Sequence, residues 1–242
     1  MKKRYAALIF CAIGLLLGSV TSEAKKKPSV TAESAIVMDV QSGAILYEKN
    51  IDKREYPASI TKVMTALVAI ENSSLSETVT YSRNAVTNLE SGASNIEIQP
   101  GEKLSMEDSL YAILLMSANE ACNGVAEHVA GSIDNFVAMM NQKAKELGCT
   151  GTNFANANGL WMSNHYTTAH DMALISQEAY KILHLQKLPE RNAISLIKQK
   201  NMQNVIFIII MVCFIQAHLP NICMNTAWAA KRDIHQSVVI RL

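Results

Sequence analysis

The chain reads as an α/β protein of the α+β kind, with strands at its beginning followed by a long run of helices. Two observations predict this. Residues 35–40 and 44–48 alternate in polarity on either side of Gln41-Ser42-Gly43, the pattern of a β-hairpin. Helical periodicity with capping residues then recurs at about 59–72, 106–116, 120–130, 134–147 and 170–182.

Taken in order, residues 1–24 read as a secretory signal: Lys2-Lys3-Arg4, an apolar stretch from Tyr5 to Val20, then Ser22-Glu23-Ala24 as the cleavage site. A retained N-terminal anchor is the alternative, and the short apolar run with Gly14 and Gly18 argues against it. Residues 25–32, opening on Lys25-Lys26-Lys27-Pro28-Ser29, form a solvated linker. After the hairpin and the first helix, Val79 to Lys103 reads as an irregular, lid-like region broken by Gly92, Pro100 and Gly101. Ser105 and Asp108 cap the next helix. Asp171 falls near the positive end of the helix at 170–182, where a carboxylate is favourable.

Composition narrows the function. A formal net charge of +1 gives no reason to expect nucleic-acid binding. Of five cysteines, Cys11 lies in the signal, and Cys122, Cys149, Cys213 and Cys223 have neither metal-type nor disulfide-framework spacing. Cys122 suits a small buried hydrophobe. His165, His170 and Asp171 are near each other, but no His-Glu-x-x-His or other paired set exists, so neither metal nor cofactor is expected. The apolar run Val205 to Ile215 is eleven residues long, too short for a bilayer and without the polar face of an interfacial helix.

The chemistry lies in Pro57-Ala58-Ser59-Ile60-Thr61-Lys62. Residues three apart share a helix face, so the Lys62 amine reaches the Ser59 hydroxyl. Serine becomes a nucleophile when a nearby base takes its proton, and lysine serves as that base when burial or positive potential lowers its pKa. The spacing alone is weak, because Ser-x-x-Lys occurs three times, at Ser22, Ser59 and Ser195. On the spacing alone, a plain helix N-cap is the better reading of Ser59. The second element is Met116-Ser117-Ala118-Asn119-Glu120, which presents a hydroxyl and an amide between two helices. Ser117 and Glu120 as a capping box is the structural alternative.

Together the two segments are far more specific than either spacing. Pro57-Ala58-Ser59-x-Thr61-Lys62-x-Met64-Thr65, followed about sixty residues later by Met116-Ser117-x-Asn119-Glu120-Ala121-Cys122, closely resembles the serine-type D-alanyl-D-alanine carboxypeptidases, the low-molecular-mass penicillin-binding proteins. Ala35 to Asp39, Leu46 to Asn50, Phe136 to Asn141, Ala144 to Gly148, Asn158-Gly159-Leu160 and Thr167 to Ala173 extend the likeness over roughly residues 33–183. The resemblance implies a β-lactamase/penicillin-binding-protein-like transpeptidase fold, with an antiparallel sheet and a helical subdomain. It implies Ser59 as nucleophile, Lys62 as general base, Ser117 as proton relay and Asn119 as substrate-binding. It further implies peptidoglycan stems ending in D-Ala-D-Ala as substrate, β-lactams as covalent inhibitors, and a location outside the cytoplasm. Two alternatives stand beside it. One is a catalytically defective relative. The weaker one is a serine β-lactamase, for which no deacylating glutamate motif is present.

The family's third motif, Lys-Thr-Gly or Lys-Ser-Gly, occurs nowhere in the 242 residues. From His184 the likeness stops, and it resumes near Thr226 to Asp233 and Ser237 to Ile240, where the resemblance implies two strands at about 226–231 and 236–241. The C-terminal part, 184–242, thus reads as divergent or incomplete, with 184–225 as a frameshifted, misread or decayed segment. Reading the gene in all three frames across that segment is expected to uncover a Lys-Thr-Gly codon string. Finding none in any frame rules out the frameshift.

Overall fold

A computed structural model describes residues 30–87, 89–185 and 237–241. The chain divides after Thr31, and every element below belongs to the part from Ala32 onward. The signal segment, most of the linker, the apolar run 205–215 and the strand expected near 226–231 lie outside the described residues.

Strands β1 (Ala35–Asp39) and β2 (Ile45–Lys49) form the expected hairpin. Its turn closes because the Asp39 carboxylate accepts hydrogen bonds from the Ser42 N–H at 2.7 Å and hydroxyl at 2.6 Å. Those bonds hold the Asp39 carboxyl below its ordinary range. Strand β5 (Ser237–Arg241) pairs antiparallel with the other edge of β1, with Ala35 opposite Arg241 and Asp39 opposite Ser237. The sheet order is β2-β1-β5, so the first and last described strands meet across almost the whole chain.

Helix α1 (Thr61–Asn72) is the centre of the molecule. Every residue from Thr61 to Ile70 is buried, as expected of a helix that is apolar on nearly all sides. A second ribbon, β3 (Thr78–Thr80) with β4 (Lys103–Ser105), brackets the region read as irregular, which also contains the short helix α2 (Arg83–Thr87). Then come α3 (Met106–Met116), α4 (Asn119–Ala130), α5 (Ile133–Glu146) and α6 (Ala169–Leu185). Ser105 caps α3 as expected, its hydroxyl accepting the Asp108 N–H at 3.0 Å. Helices α3, α4, α5 and α6 all pack on α1, and α6 also runs beside β1 and β5. Close approach also shapes the point where Tyr81 crosses α4, since a Cβ on Gly124 would lie 2.3 Å from the Tyr81 ring.

The three polar residues at the start of α1 face the loop between α5 and α6. Thr65 donates to the Ala157 carbonyl at 2.5 Å, and Thr61 pairs with His165 Nε2 at 2.8 Å. His165 Nδ1 accepts from the Ala155 N–H at 3.0 Å, so Nε2 carries the proton and donates to Thr61. Further on, Asp171 is buried and accepts from the Gly151 N–H at 2.8 Å and the Thr152 hydroxyl at 2.7 Å. It therefore anchors the loop as well as opening α6. Glu55 and Thr167 exchange backbone hydrogen bonds of 2.8 and 2.9 Å, which ties the approach to Ser59 to the same loop.

Burial pushes the His165 imidazole down to about 4, so the folded protein holds it neutral where an unfolded chain binds a proton. Its folded pKa lies below its unfolded value. The stability it contributes is therefore complete above about pH 6.5 and is lost as pH falls toward about 4. Replacing His165 by Gln should flatten the slope of unfolding free energy across that window by up to about 3 kcal/mol. Urea titrations of both proteins at the two ends of the window check this.

Candidate active site

A single 3₁₀ turn, Ala58–Ile60, leads into α1. Ala58 is held at φ +48°, an unfavourable conformation for a residue with a Cβ, and it aims the next residue, Ser59. The reading of Ser59 as a helix N-cap is corrected here. Pro57 precedes the 3₁₀ turn and Ile60 precedes α1, and neither position has a side-chain cap. The Ser59 hydroxyl is instead engaged sideways, 3.0 Å from the Ser117 hydroxyl and 3.3 Å from Lys62 Nζ.

Lys62 lies in the first turn of α1 and is 2% exposed. Its amine also donates to Asn119 Oδ1 at 2.9 Å and to the Asn158 carbonyl at 2.5 Å. Partners from three segments thus meet at one nitrogen.

Ser117 ends α3 at φ +55°. This left-handed residue turns the chain back so that its hydroxyl faces Ser59, while Asn119 opens α4. The capping-box reading of Ser117 and Glu120 is also corrected. Ala118 is the N-cap of α4, without a side-chain cap, and the Glu120 carboxylate accepts the Ile96 N–H at 2.6 Å. Asn119 is buried, and its Nδ2 donates to the Ser94 carbonyl at 2.8 Å, which turns Oδ1 toward Lys62.

The structure therefore brings Ser59, Lys62, Ser117 and Asn119 together, with both serines half-buried and Lys62 and Asn119 enclosed. It adds Asn158, to which the sequence assigned no role beyond likeness, because a backbone carbonyl leaves no side-chain signature. Gly159 explains how that carbonyl comes so close. It sits at φ +87°, and a Cβ there would fall 2.0 Å from the Ala58 carbonyl oxygen. The Asn158-Gly159 pair is the one legible signal, as a dipeptide that marks a turn. Behind the site, Cys122 is fully buried, and burial pushes its thiol up to about 11, so it is an inert packing residue. Among the described residues no group of three His, Cys, Asp or Glu side chains is placed to hold a metal ion.

Comparison with known proteins matches the chain to one family. The profile of the D-alanyl-D-alanine carboxypeptidases matches residues 21–208, running past His184. The chain is 36% identical over 190 residues to the D-alanyl-D-alanine carboxypeptidase DacF of Bacillus subtilis, covering 74% of this chain and 48% of that one. It is 38% identical over 158 residues to DacA of Escherichia coli, covering 62% of this chain and 39% of the relative. The chain thus spans about half or less of the length of these curated relatives. The structure superposes on penicillin-binding protein 5 of Haemophilus influenzae with a TM-score of 0.62 at 34% identity, over 67% of this chain and 48% of that one. It matches a Streptomyces K15 DD-transpeptidase variant with a TM-score of 0.60 at 28% identity, over 64% and 63%. A likeness that spans sequence, fold and profile places this chain in the D-alanyl-D-alanine carboxypeptidase family.

Proposed function

We propose that the protein acts as a serine acyl-transferring D-alanyl-D-alanine carboxypeptidase on peptidoglycan stem peptides, outside the cytoplasm, after export on the segment 1–24. The observation that carries this reading is the line Lys62–Ser59–Ser117, with gaps of 3.3 and 3.0 Å, closed behind by Asn119. In the first step Lys62 takes the Ser59 proton as Ser59 Oγ attacks the carbonyl between the two terminal D-alanines. The oxyanion rests on backbone N–H groups, that of Ser59 among them. The C–N bond then breaks, and the proton passes through Ser117 to the departing D-alanine nitrogen. In the second step a water, deprotonated by the same amine, hydrolyses the ester and restores Ser59. Asn119 orients Lys62 through Oδ1 and offers its second amide N–H to the substrate backbone. A β-lactam enters the same first step but leaves a slow ester on Ser59.

A second reading, a catalytically defective relative that acylates without efficient turnover, is favoured by one observation, the absence of Lys-Thr-Gly from the sequence. In such a site that lysine would grip the substrate carboxylate, and a charge-assisted hydrogen bond of this kind is worth about 1.5–3 kcal/mol. The two readings share acylation and part at D-alanine release.

Purified protein incubated with benzylpenicillin should gain the mass of one penicilloyl group, and Ser59→Ala should gain none. A folded protein without the adduct would remove both readings, whereas an adduct without D-alanine release from a D-Ala-D-Ala peptide would leave the second.

Gly159→Ala puts a Cβ 2.0 Å from the Ala58 carbonyl oxygen, so the backbone must shift there, which should lower stability and push the Asn158 carbonyl off Lys62. Misplacement of about 1 Å next to a reacting group costs on the order of a hundredfold, so the adduct should form about a hundred times more slowly. Stopped-flow or quenched mass spectrometry measures that rate. A rate like that of the unaltered protein would show that this carbonyl does not hold the base.

A further inference from the structure

We infer that Glu120 is a positioning residue, whose carboxylate latches the segment 93–98 across Asn119 and so keeps the Asn119 amide turned toward Lys62. This rests on Ser59 and Lys62 being the acylating pair. Glu120 is 1% exposed and sits beside Asn119 in the first turn of α4. Its Oε1 accepts the Ile96 N–H at 2.6 Å. Two residues earlier, the Ser94 carbonyl accepts both the Asn119 backbone N–H at 3.0 Å and Asn119 Nδ2 at 2.8 Å. Alternating backbone groups of one exposed segment are thus gripped by two adjacent helix residues.

The segment has little else to hold it. Ser94 through Glu97 are exposed, Glu97 stands at φ +62°, and the next buried side chain is Ile98. The orientation of the Asn119 amide depends on that grip. With Nδ2 on Ser94, Oδ1 faces the Lys62 amine at 2.9 Å. Without it, the amide is free to rotate, and an N–H would then confront the base. Packing alone does not explain a carboxylate at this position. Oε2 is buried with no hydrogen-bond partner among the described residues, which is unfavourable for any polar oxygen. Nor is it a cap, since Ser117 does not pair with it. An acid in the first turn also complements the helix dipole, and that contribution disappears with charge alone. Glutamine keeps the Ile96 bond without the charge, so it separates the latch from the dipole.

The test compares Glu120→Gln, Glu120→Ala and Ile96→Pro, the last removing the latched N–H from the exposed side of the bond. Two readouts are taken: hydrogen exchange at the Asn119 backbone amide, and acylation by benzylpenicillin resolved into encounter affinity and acylation rate. Glu120→Ala and Ile96→Pro should exchange faster at Asn119 and acylate about tenfold more slowly at saturating penicillin, with the encounter affinity little changed. Glu120→Gln should stay within about twofold of the unaltered protein on both readouts. Because Glu120 acts through Asn119, adding Glu120→Ala to Asn119→Ala should slow acylation no further. Equal effects of the Gln and Ala variants, or additive losses in the double variant, overturn the latch. If the unaltered protein is folded but not acylated, the reading of Ser59 fails. Exchange then judges the latch: faster exchange in Glu120→Ala than in Glu120→Gln upholds it, and equal exchange overturns it.

Discussion

Burying a lysine amine at the head of a central helix sets the terms for everything around it. Lys62 is 2% exposed, and a buried donor left without partners costs about 1–3 kcal/mol, more when charged. Partners must therefore be delivered, and they come from three places far apart in the chain: Ser59 before α1, Asn119 at the head of α4, and the Asn158 carbonyl in the loop before α6. None of these places can move alone. Each is fixed by contacts of its own, and the fold can be described as the set of supports that bring them together.

Those supports use conformations that a relaxed chain avoids. Ala58, the residue before Ser59, and Ser117 both stand at positive φ without being glycine. Strain of this kind costs about 1–3 kcal/mol per residue and persists only where the surroundings enforce it. The Ala58 carbonyl is pressed by Gly159, the Glu55–Thr167 pair fixes the chain leading to it, and Thr61 is held by His165. On the other side, Ser117 is locked between α3 and α4, with Asn119 bonded to Ser94. The core of α1 supplies the rigidity, since each buried face packs against a neighbouring helix.

The polar interior follows a simple division of labour. Side chains that would lower the quality of an apolar core, namely Thr61, Lys62, Thr65, Asn119, Asn158, His165 and Asp171, are gathered at one end of α1 and along one loop. There they satisfy one another and the backbone carbonyls of that loop. His165 is neutral in this setting and works as a tether rather than an acid or base. The second half of α1 buries Leu67, Val68, Ala69 and Ile70. Function and stability thus occupy opposite ends of one helix.

Much was legible in the sequence because it is local. The hairpin, five of the helices and the Ser105 cap follow from periodicity, turn residues and capping chemistry that act within a few positions. The residues of the site were also legible, since Ser59 with Lys62 and Ser117 with Asn119 each occupy a distinctive segment. Their local alternatives, an N-cap and a capping box, obey the same short-range rules, and nothing within either segment excludes them. Only the packing of α3 and α4 against α1 does so, because it brings Ser117 to 3.0 Å from Ser59 across fifty-eight positions. The Asn158 carbonyl, the grip of Asn119 on Ser94 and the Glu120–Ile96 bond were beyond reach for a further reason. They engage backbone groups, which every residue carries alike, so no pattern of side chains could announce them.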